Sequence, residues 1–333
     1  MQHTQSYTLQ CVLCGCDQSH LVFEARDFDS GRRCFELVQC PVCHLVRTNP
    51  VLSGAELNAY YANGYYGGGS KKFASVGEWL LRYSASTRAK LLLKHWRRMC
   101  PDAGTMTPRV LDIGCGRGTL LQAFEKFGCR CTGVEHDSIP IDHIGANIDF
   151  HKGELRQIGL PQEHFDIIVI WHVLEHLRNP VDNLRQVFEL LRPNGLLALA
   201  VPNFGSFQSR LFRQHWFHLD LPRHIHHFSP ETLSRCLEDV GFLVTSLSTY
   251  SLEQNLFGFV QSLENKIGLG RDPNRFYALL RNRGTGSSPW ELPLLMVLST
   301  MFMPVAAVEY MLSGVLGAGA TIRVSARKGD GLK

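Results

Sequence analysis

The sequence predicts an α/β protein built on a doubly wound, largely parallel sheet, with a small cysteine-rich domain before it and an apolar helical insertion near its end. Three observations carry that prediction. From Arg109 onward, short apolar runs of strand type alternate with stretches of helical spacing, the signature of a parallel sheet covered on both faces. Between the first such run and the first helix stands LDIGCGRGTLL, with Gly114, Gly116 and Gly118 at every second position. Ahead of all this, residues 1–48 hold six of the eleven cysteines.

Taken in order, residues 1–48 read as short strands and turns, and residues 49–108 as a helical linker or lid. Ser53 and Glu56 have capping-box spacing, and Tyr60, Tyr61, Tyr65 and Tyr66 form an aromatic patch. Glycines at 67–69 break the chain before an amphipathic helix that ends near Cys100. RVLDI opens the sheet domain, 109–333. The helix after the glycine turn aligns Leu120, Phe124 and Phe127 and stops at Gly128. CRCTGVE and FDIIVI are further strands, a helix covers 181–191, and GLLALAV follows the RPNG turn. Another helix opens at SPETL, with Ser229 as N-cap and Pro230 in the first position, and stops at Gly241. FLVTSLSTY and ATIRVSAR are the last two strands, with an insertion at about 252–318 between them.

A chain of 333 residues can hold one large core plus an appendage, or two domains. Hydrophobic content of 44% and charged content of 19% describe a globular protein. A net charge of +4 without any basic run argues against nucleic acid as a partner. The opening MQHTQSYTLQC lacks the basic-then-apolar pattern of a secretion signal. The expected location is therefore the cytoplasm or the inner face of its membrane, where cysteines bind metal more readily than they form a disulfide framework.

CVLC (Cys11, Cys14) and CPVC (Cys40, Cys43) are two Cys-x-x-C turns separated by 25 residues. Two such turns can present four thiolates as a tetrahedral structural zinc site requires. Buried unmetallated thiols and a redox pair are the other readings, and Cys16 and Cys34 are spare ligands. A closed four-thiolate site has no open coordination position, so its expected role is stability or partner contact.

A strand entering a helix through glycines brings backbone N–H groups and a helix N-terminus to one point, where a nucleotide-like ligand can sit. Glu135 ends the second strand, 21 residues beyond Gly114, where a carboxylate can take both hydroxyls of a ribose. The spacing is G-x-G-x-G, not the G-x-G-x-x-G of dinucleotide enzymes. Asp112, just before the turn, can accept from an amino group or order the glycine backbone.

LDIGCGRGTLL, GVEHD, FDIIVIWHVLEHLRNP and LRPNGLLALAVPN resemble the successive motifs of class I S-adenosylmethionine-dependent methyltransferases over about residues 109–250. CVLCG, LVQCPVCHLVRTNP and ELNAYY with GYY resemble the N-terminal zinc region of a bacterial group in that superfamily. Sugar C-methyltransferases and enzymes of polysaccharide and secondary-metabolite clusters belong to that group. The resemblance implies a seven-stranded sheet whose last strand, ATIRVSAR, slots between the fifth and sixth. It assigns Gly114, Gly116 and Gly118 to the methionine end of S-adenosylmethionine, Glu135 to its ribose, and Glu154 in HKGEL to its adenine.

Five of the fifteen histidines fall in HWFHLDLPRHIHHF, and His172, Glu175 and His176 follow the fourth strand at its C-terminal end. That end of a doubly wound sheet faces the ligand crevice. On one helical turn, His172, Glu175 and His176 would share a face. One reading makes His224 or a neighbour a general base, with Glu175 and His176 assisting. A second gives H-x-x-E-H and a distant histidine a divalent metal, as in ubiquinone-pathway and small-RNA O-methyltransferases. A third leaves these residues capping helices and satisfying buried backbone groups. For His218 and His227 the last is preferred, and Trp216, Phe217 and Phe228 read as core or pocket wall.

Residues 292–308 carry no charge and include Pro293 and Pro304; after Glu309 and Tyr310 an uncharged stretch continues to Ile322. The expectation is two short helices. With Trp290 and Arg271, Arg275, Arg281 and Arg283 beside them, they suit a membrane surface. The competing picture packs them as a hairpin on the domain or on a second subunit, a homodimer. The sequence thus reads as an S-adenosylmethionine-dependent methyltransferase with a structural zinc ribbon, a histidine base, and a sugar, a lipid-linked glycan or a small metabolite as acceptor. The rival is a catalytically silent S-adenosylmethionine-binding protein that docks a partner through its ribbon.

Overall fold

The computed structural model describes residues 10–27, 33–62, 75–100, 106–137, 144–268, 273–280 and 290–329. The cysteine-rich region forms β1 (His20–Arg26), β2 (Cys34–Gln39) and β3 (Val46–Asn49), followed by helices α1 (Gly54–Ala62) and α2 (Ser75–Met99). Then come β4 (Arg109–Ile113), α3 (Thr119–Lys126), β5 (Arg130–Glu135), β6 (Ile148–Lys152), α4 (Leu155–Ile158), β7 (Phe165–Trp171), α5 (Pro180–Leu190) and β8 (Leu191–Pro202). The remainder is α6 (Phe207–Phe212), β9 (His226–His227), α7 (Pro230–Val240), β10 (Phe242–Ser248), α8 (Leu252–Ile267), α9 (Arg275–Leu280), α10 (Glu291–Val315) and β11 (Thr321–Lys328).

Successive strand residues point to opposite faces of a sheet, and here both faces are apolar. Val110, Ile167, Val169 and Leu196 pack on one side with Leu93 and Trp96 of α2 and Leu121 and Phe124 of α3. Leu111, Ile168, Ile170 and Leu197 pack on the other with Leu184 and Val187 of α5 and Leu233 and Leu237 of α7. Covering a strand on both sides is what a parallel sheet requires. Fully buried side chains such as Leu121 and Phe124 each contribute on the order of 2–3 kcal/mol.

The sheet runs β10-β11-β8-β7-β4-β5-β6. β8, β7, β4, β5 and β6 are parallel, and β11 lies antiparallel between β8 and β10. The last strand therefore occupies the position that the sequence motifs imply. α7 starts as expected: Ser229 and Thr232 form a reciprocal capping box, Pro230 opens the helix, and Gly241 closes it at φ 106°. Ser53 and Glu56 likewise bond around the start of α1.

Several expectations need correction. The helix placed at 181–191 runs Pro180–Leu190, and RPNG lies inside β8, where the pairing with β7 shifts register and Asn194 takes φ 60°. The insertion does not form two short helices after residue 292. α10 is one 25-residue helix through Pro304, and it packs against α8. Tyr65, Tyr66, the glycines at 67–69, Arg271, Arg281 and Arg283 lie outside the described residues.

The cysteine-rich sheet is not self-contained. Its order is β1-β2-β3-β9, so its fourth strand comes from the histidine segment. Val46 pairs with His227 and Arg47 with His226. Thr48 N–H donates to Ile225 O at 3.0 Å, and Thr48 Oγ1 donates to His224 O at 2.7 Å. The same oxygen lies 3.0 Å from His227 Nε2. Phe35, Leu37 and Val46 share an apolar cluster with Trp216, Leu221, Ile225 and Phe259. Thr48→Val should lower stability by about 1–3 kcal/mol, because it leaves two buried polar groups without their partner. Denaturant unfolding of the two chains measures this, and an unchanged midpoint would remove Thr48 from the fastening.

Candidate active site

The C-terminal ends of the parallel strands converge on a cleft of about 760 Å³, within the ~300–1,000 Å³ range of small-molecule sites. Its first wall is the turn after β4. Gly114 must lack a side chain because a Cβ there would lie 2.3 Å from Val173 Cγ2. Gly116, at φ 52°, is different: its Cβ would meet no protein atom within 4 Å and would project into the open cleft. Gly118 stands at the N-terminus of α3, with α3's backbone continuing behind it.

Glu135 closes this wall from the end of β5. Its Oε2 accepts from Gly116 N at 2.7 Å and its Oε1 from His136 N at 2.8 Å. Burial raises its pKa against the pull of those two N–H groups. A carboxylate has about four acceptor positions, so two N–H bonds leave capacity for ligand hydroxyls. Asp112, also on the cleft wall, is pushed up to about 8 by burial and the neighbouring Glu135 charge, with Arg88 opposing. A ligand ammonium at this point would favour the carboxylate. Glu154 lines the cleft at the start of α4. These residues fit a nucleoside with an amino-acid tail: free acceptors for hydroxyls, an acid for an amine, and an open glycine backbone between them.

The opposite wall carries the histidines. β7 ends at Trp171, His172 takes φ 55°, and Leu174–His176 form a single 3-10 turn. The expected shared face of an α-helix is thus replaced by a sharp reversal, which still gathers the three residues. His172 Nδ1 lies 3.4 Å from Glu175 Oε1, and the buried His172 Nε2 has no hydrogen-bond partner among the described residues. Glu175 is fully buried, and among the described residues its carboxylate oxygens have no hydrogen bond closer than the His172 ring at 3.4 Å. Burial alone would raise it, but the facing imidazoles of His172, His176 and His224 hold it below its ordinary value.

His172 and His176 line the cleft, whereas His224 stands behind them. The His224 ring meets His176 edge to face at 4.6 Å, and its Nε2 points between Glu175 (3.9 Å) and Asp220 (3.8 Å). Its Nδ1 donates to His218 O at 2.8 Å. The physical reason for its retreat is the pairing of β9 with β3, which draws residues 224–227 onto the cysteine-rich sheet. His176 is lowered to about 4 by burial and by His224, so it is neutral at neutral pH. His218 Nε2 bonds Gln254 O and His226 Nε2 bonds Arg178 O, which are roles in satisfying backbone carbonyls. Trp216 and Phe228 are fully buried core residues.

Two cleft residues were not marked by any sequence pattern as site residues. Tyr61 places its hydroxyl 3.1 Å from His176 Nδ1, which also lies 3.1 Å from Arg223 O. Arg88 of α2 stacks on the Trp171 ring with its guanidinium carbon 3.9 Å from the centroid. Tyr61 was visible only as part of an aromatic patch, and Arg88 only as one polar position on an amphipathic helix.

The four expected metal ligands come together: Cys11, Cys14, Cys40 and Cys43 have ligand atoms all within 4.8 Å of one another. Cys11 and Cys43 sulfurs are 3.3 Å apart, and those of Cys14 and Cys40 3.4 Å. Gly15 and His44, each just after the second cysteine of its turn, both take positive φ. Cys16 and Cys34 contact Gln18 and Glu24 instead. Burial opposes ionisation of Cys40, yet the N–H groups of Cys43 and Val42 bring it down to about 6. Cys43 is pushed up by burial and by Cys11 beside it. Four packed thiols cannot all ionise without a cation among them, so the donor set fits a thiolate-bound metal. Glu175, His176 and His224 form a second group with ligand atoms within 4.8 Å.

Among known proteins, the chain is 29% identical over 153 residues to a ubiquinone biosynthesis O-methyltransferase of Rhodopseudomonas palustris, covering 42% of this chain and 60% of that one. The chain thus spans about three fifths of that relative's length. A protein of the same name from Maricaulis maris is 28% identical over 192 residues, covering 54% of this chain and 72% of that one. The solved structure of phosphoethanolamine N-methyltransferase 2 of Haemonchus contortus in complex with S-adenosyl-L-methionine has a TM-score of 0.49 and 16% identity. That likeness covers 86% of this chain and 62% of the other. The family described as "Methyltransferase domain" matches residues 73–247, more than half of the chain. With that match, the strand order and the glycine turn together, the chain belongs to the class I S-adenosylmethionine-dependent methyltransferases.

Proposed function

We propose that the protein transfers a methyl group from S-adenosylmethionine to a sugar, a lipid-linked glycan or a small metabolite, with His172 as general base. The observation that supports the base is the place of the partly exposed His172 ring among the cleft-lining residues at the end of β7, with Nδ1 beside Glu175. S-adenosylmethionine supplies an electrophilic methyl on a sulfonium. Glu135, Asp112 and the Gly116 backbone hold the cofactor end of the cleft, on this reading, and Glu154 borders the adenine. The His172 ring takes the acceptor's proton, and the Glu175 carboxylate stabilises the imidazolium that results. Positioning in a partly closed cleft supplies most of the remaining acceleration. Asn58, Asn179 and Asn183 on the rim offer both donors and acceptors, which suits a hydroxyl-rich acceptor.

A second reading places a divalent cation on Glu175, His176 and His224. The bare, fully buried Glu175 carboxylate favours it, since a buried anion needs a cationic partner. We propose also that zinc occupies the four-cysteine cluster as a structural ion.

For cofactor binding, Glu135→Ala should weaken S-adenosylmethionine affinity by about 1.5–3 kcal/mol, the range of a charge-assisted hydrogen bond. Gly116→Val should abolish it by filling the open side of the turn. Calorimetry giving normal affinity for both variants overturns the placement.

For the chemistry, His172→Ala should keep cofactor affinity and lower turnover by ~10²–10⁴-fold. His224→Ala, altering a ring behind the wall, should cost less. Formation of S-adenosylhomocysteine with an acceptor reads both. A larger loss at His224 rejects His172 as base, chelator-sensitive turnover restored by a divalent ion selects the second reading, and no turnover with any acceptor supports a silent binding protein.

For the metal, the purified chain should carry one equivalent of zinc, and Cys40→Ser should lose it. Equal zinc in both proteins, or none in either, rejects the four-thiolate assignment.

A further inference from the structure

Helix α10 is inside out in its polarity. Its polar side chains face the protein. Ser299 Oγ donates to Glu264 Oε1 at 2.8 Å, Glu309 Oε2 accepts from Gln208 Nε2 at 2.9 Å, and Ser313 is buried against Asn255. Its outward stripe is apolar: Leu294, Val297, Met301, Val305, Val308 and Leu312, each more than half exposed. These six recur at intervals of three or four residues, so they lie along one side of the helix. Across residues 292–322 Glu309 is the one charged residue, and it is buried. The single polar side chain among the outward positions of 294–308, Thr300, turns its hydroxyl onto its own helix at Met296 O.

This surface offers nothing for a folded partner to recognise beyond hydrocarbon. Protein interfaces carry about one hydrogen bond per 100–200 Å² and a polar rim, and the outward side of α10 supplies neither. Monomeric proteins rarely expose an apolar patch of this extent to water. The helix, 25 residues and ~37 Å long, is long and apolar enough to cross a bilayer. Crossing would strip Ser299, Glu309 and Ser313 from Glu264, Gln208 and Asn255, and place an unpaired carboxyl in hydrocarbon. Trp290, largely exposed at the helix start, has the apolar body and polar tip that suit a headgroup boundary.

We propose that the outward face of α10 seats the protein on a lipid bilayer, with the helix lying in the plane of the interface. Tyr310 of α10 packs edge to face on Tyr250, which stands three residues before Glu253 of the cleft lining. Attraction arises from buried apolar area, so it needs no anionic lipid.

The test is flotation of the full chain with phosphatidylcholine vesicles, with and without phosphatidylglycerol, beside the triple variant Val297→Glu/Met301→Glu/Val308→Glu. These positions are solvent-exposed, and an unchanged unfolding midpoint certifies the variant's fold. The wild type should float with both vesicle types, and the variant's partition should fall by about tenfold or more, as charges in hydrocarbon require. Alkaline carbonate should release the wild type. A wild type left in the dense fraction, a variant that floats as well, retention after carbonate, or a lipid-free dimer that the variant splits into monomers overturns the proposal. The readout is vesicle binding and not turnover, so failure here leaves the reading of the cleft untouched.

Discussion

The peptide of Ile225 joins the two halves of the molecule. Its carbonyl accepts from Thr48 N at the end of the cysteine-rich sheet, and its N–H donates to Glu175 O in the turn that carries the histidines. Each bond is ordinary in length, 3.0 and 2.9 Å. Their effect is geometric. The cysteine turns fix β3, β3 fixes residues 225–227, and these fix the turn from His172 to His176. A part of the chain that contributes no cleft-lining side chain before Gly54 among the described residues thereby sets where the opposite wall of the cleft stands.

Glu175 shows what that rigidity is for. A carboxylate so weakly hydrogen-bonded in a buried site is costly, and a loose turn would relax by exposing it to water. Here three imidazoles surround it, while Asp220 is held by Arg223 on the far side of His224. Positive charge arriving on any of those rings gains a partner already in place. On the proposed reading, such a site is prepared for a proton or a cation before either arrives.

Strand and helix boundaries were legible wherever local chemistry decides them. The glycine turn, the Ser229 cap and the apolar runs of β4 and β7 need only neighbours in sequence to be understood. The same holds for the four cysteines, whose x-x spacing is itself the geometry of a knuckle. The histidine wall was legible only as composition. That His172 faces the cleft and His224 does not depends on β9 pairing with β3, across about 180 residues of chain, and no window of sequence contains that information. α10 was misread for a related reason: Pro304 argues locally for a break, but the packing of its inner face on α8 carries the helix through. Arg88 and Tyr61 show the same limit, because a helix position becomes a site position only through what is folded against it.

The position of β11 has a consequence for how the chain is made. β8 and β10 are not neighbours in the sheet; they are bridged by a strand that is synthesised after α8, α9 and α10. During translation the sheet must wait with two open edges while the most apolar helix of the chain leaves the ribosome. Non-local pairing of this kind is slow, and unpaired edges and apolar surface are exposed for as long as it takes. If the outward face of α10 meets lipid as proposed, it would spend that interval adsorbed instead of in water while the sheet closes.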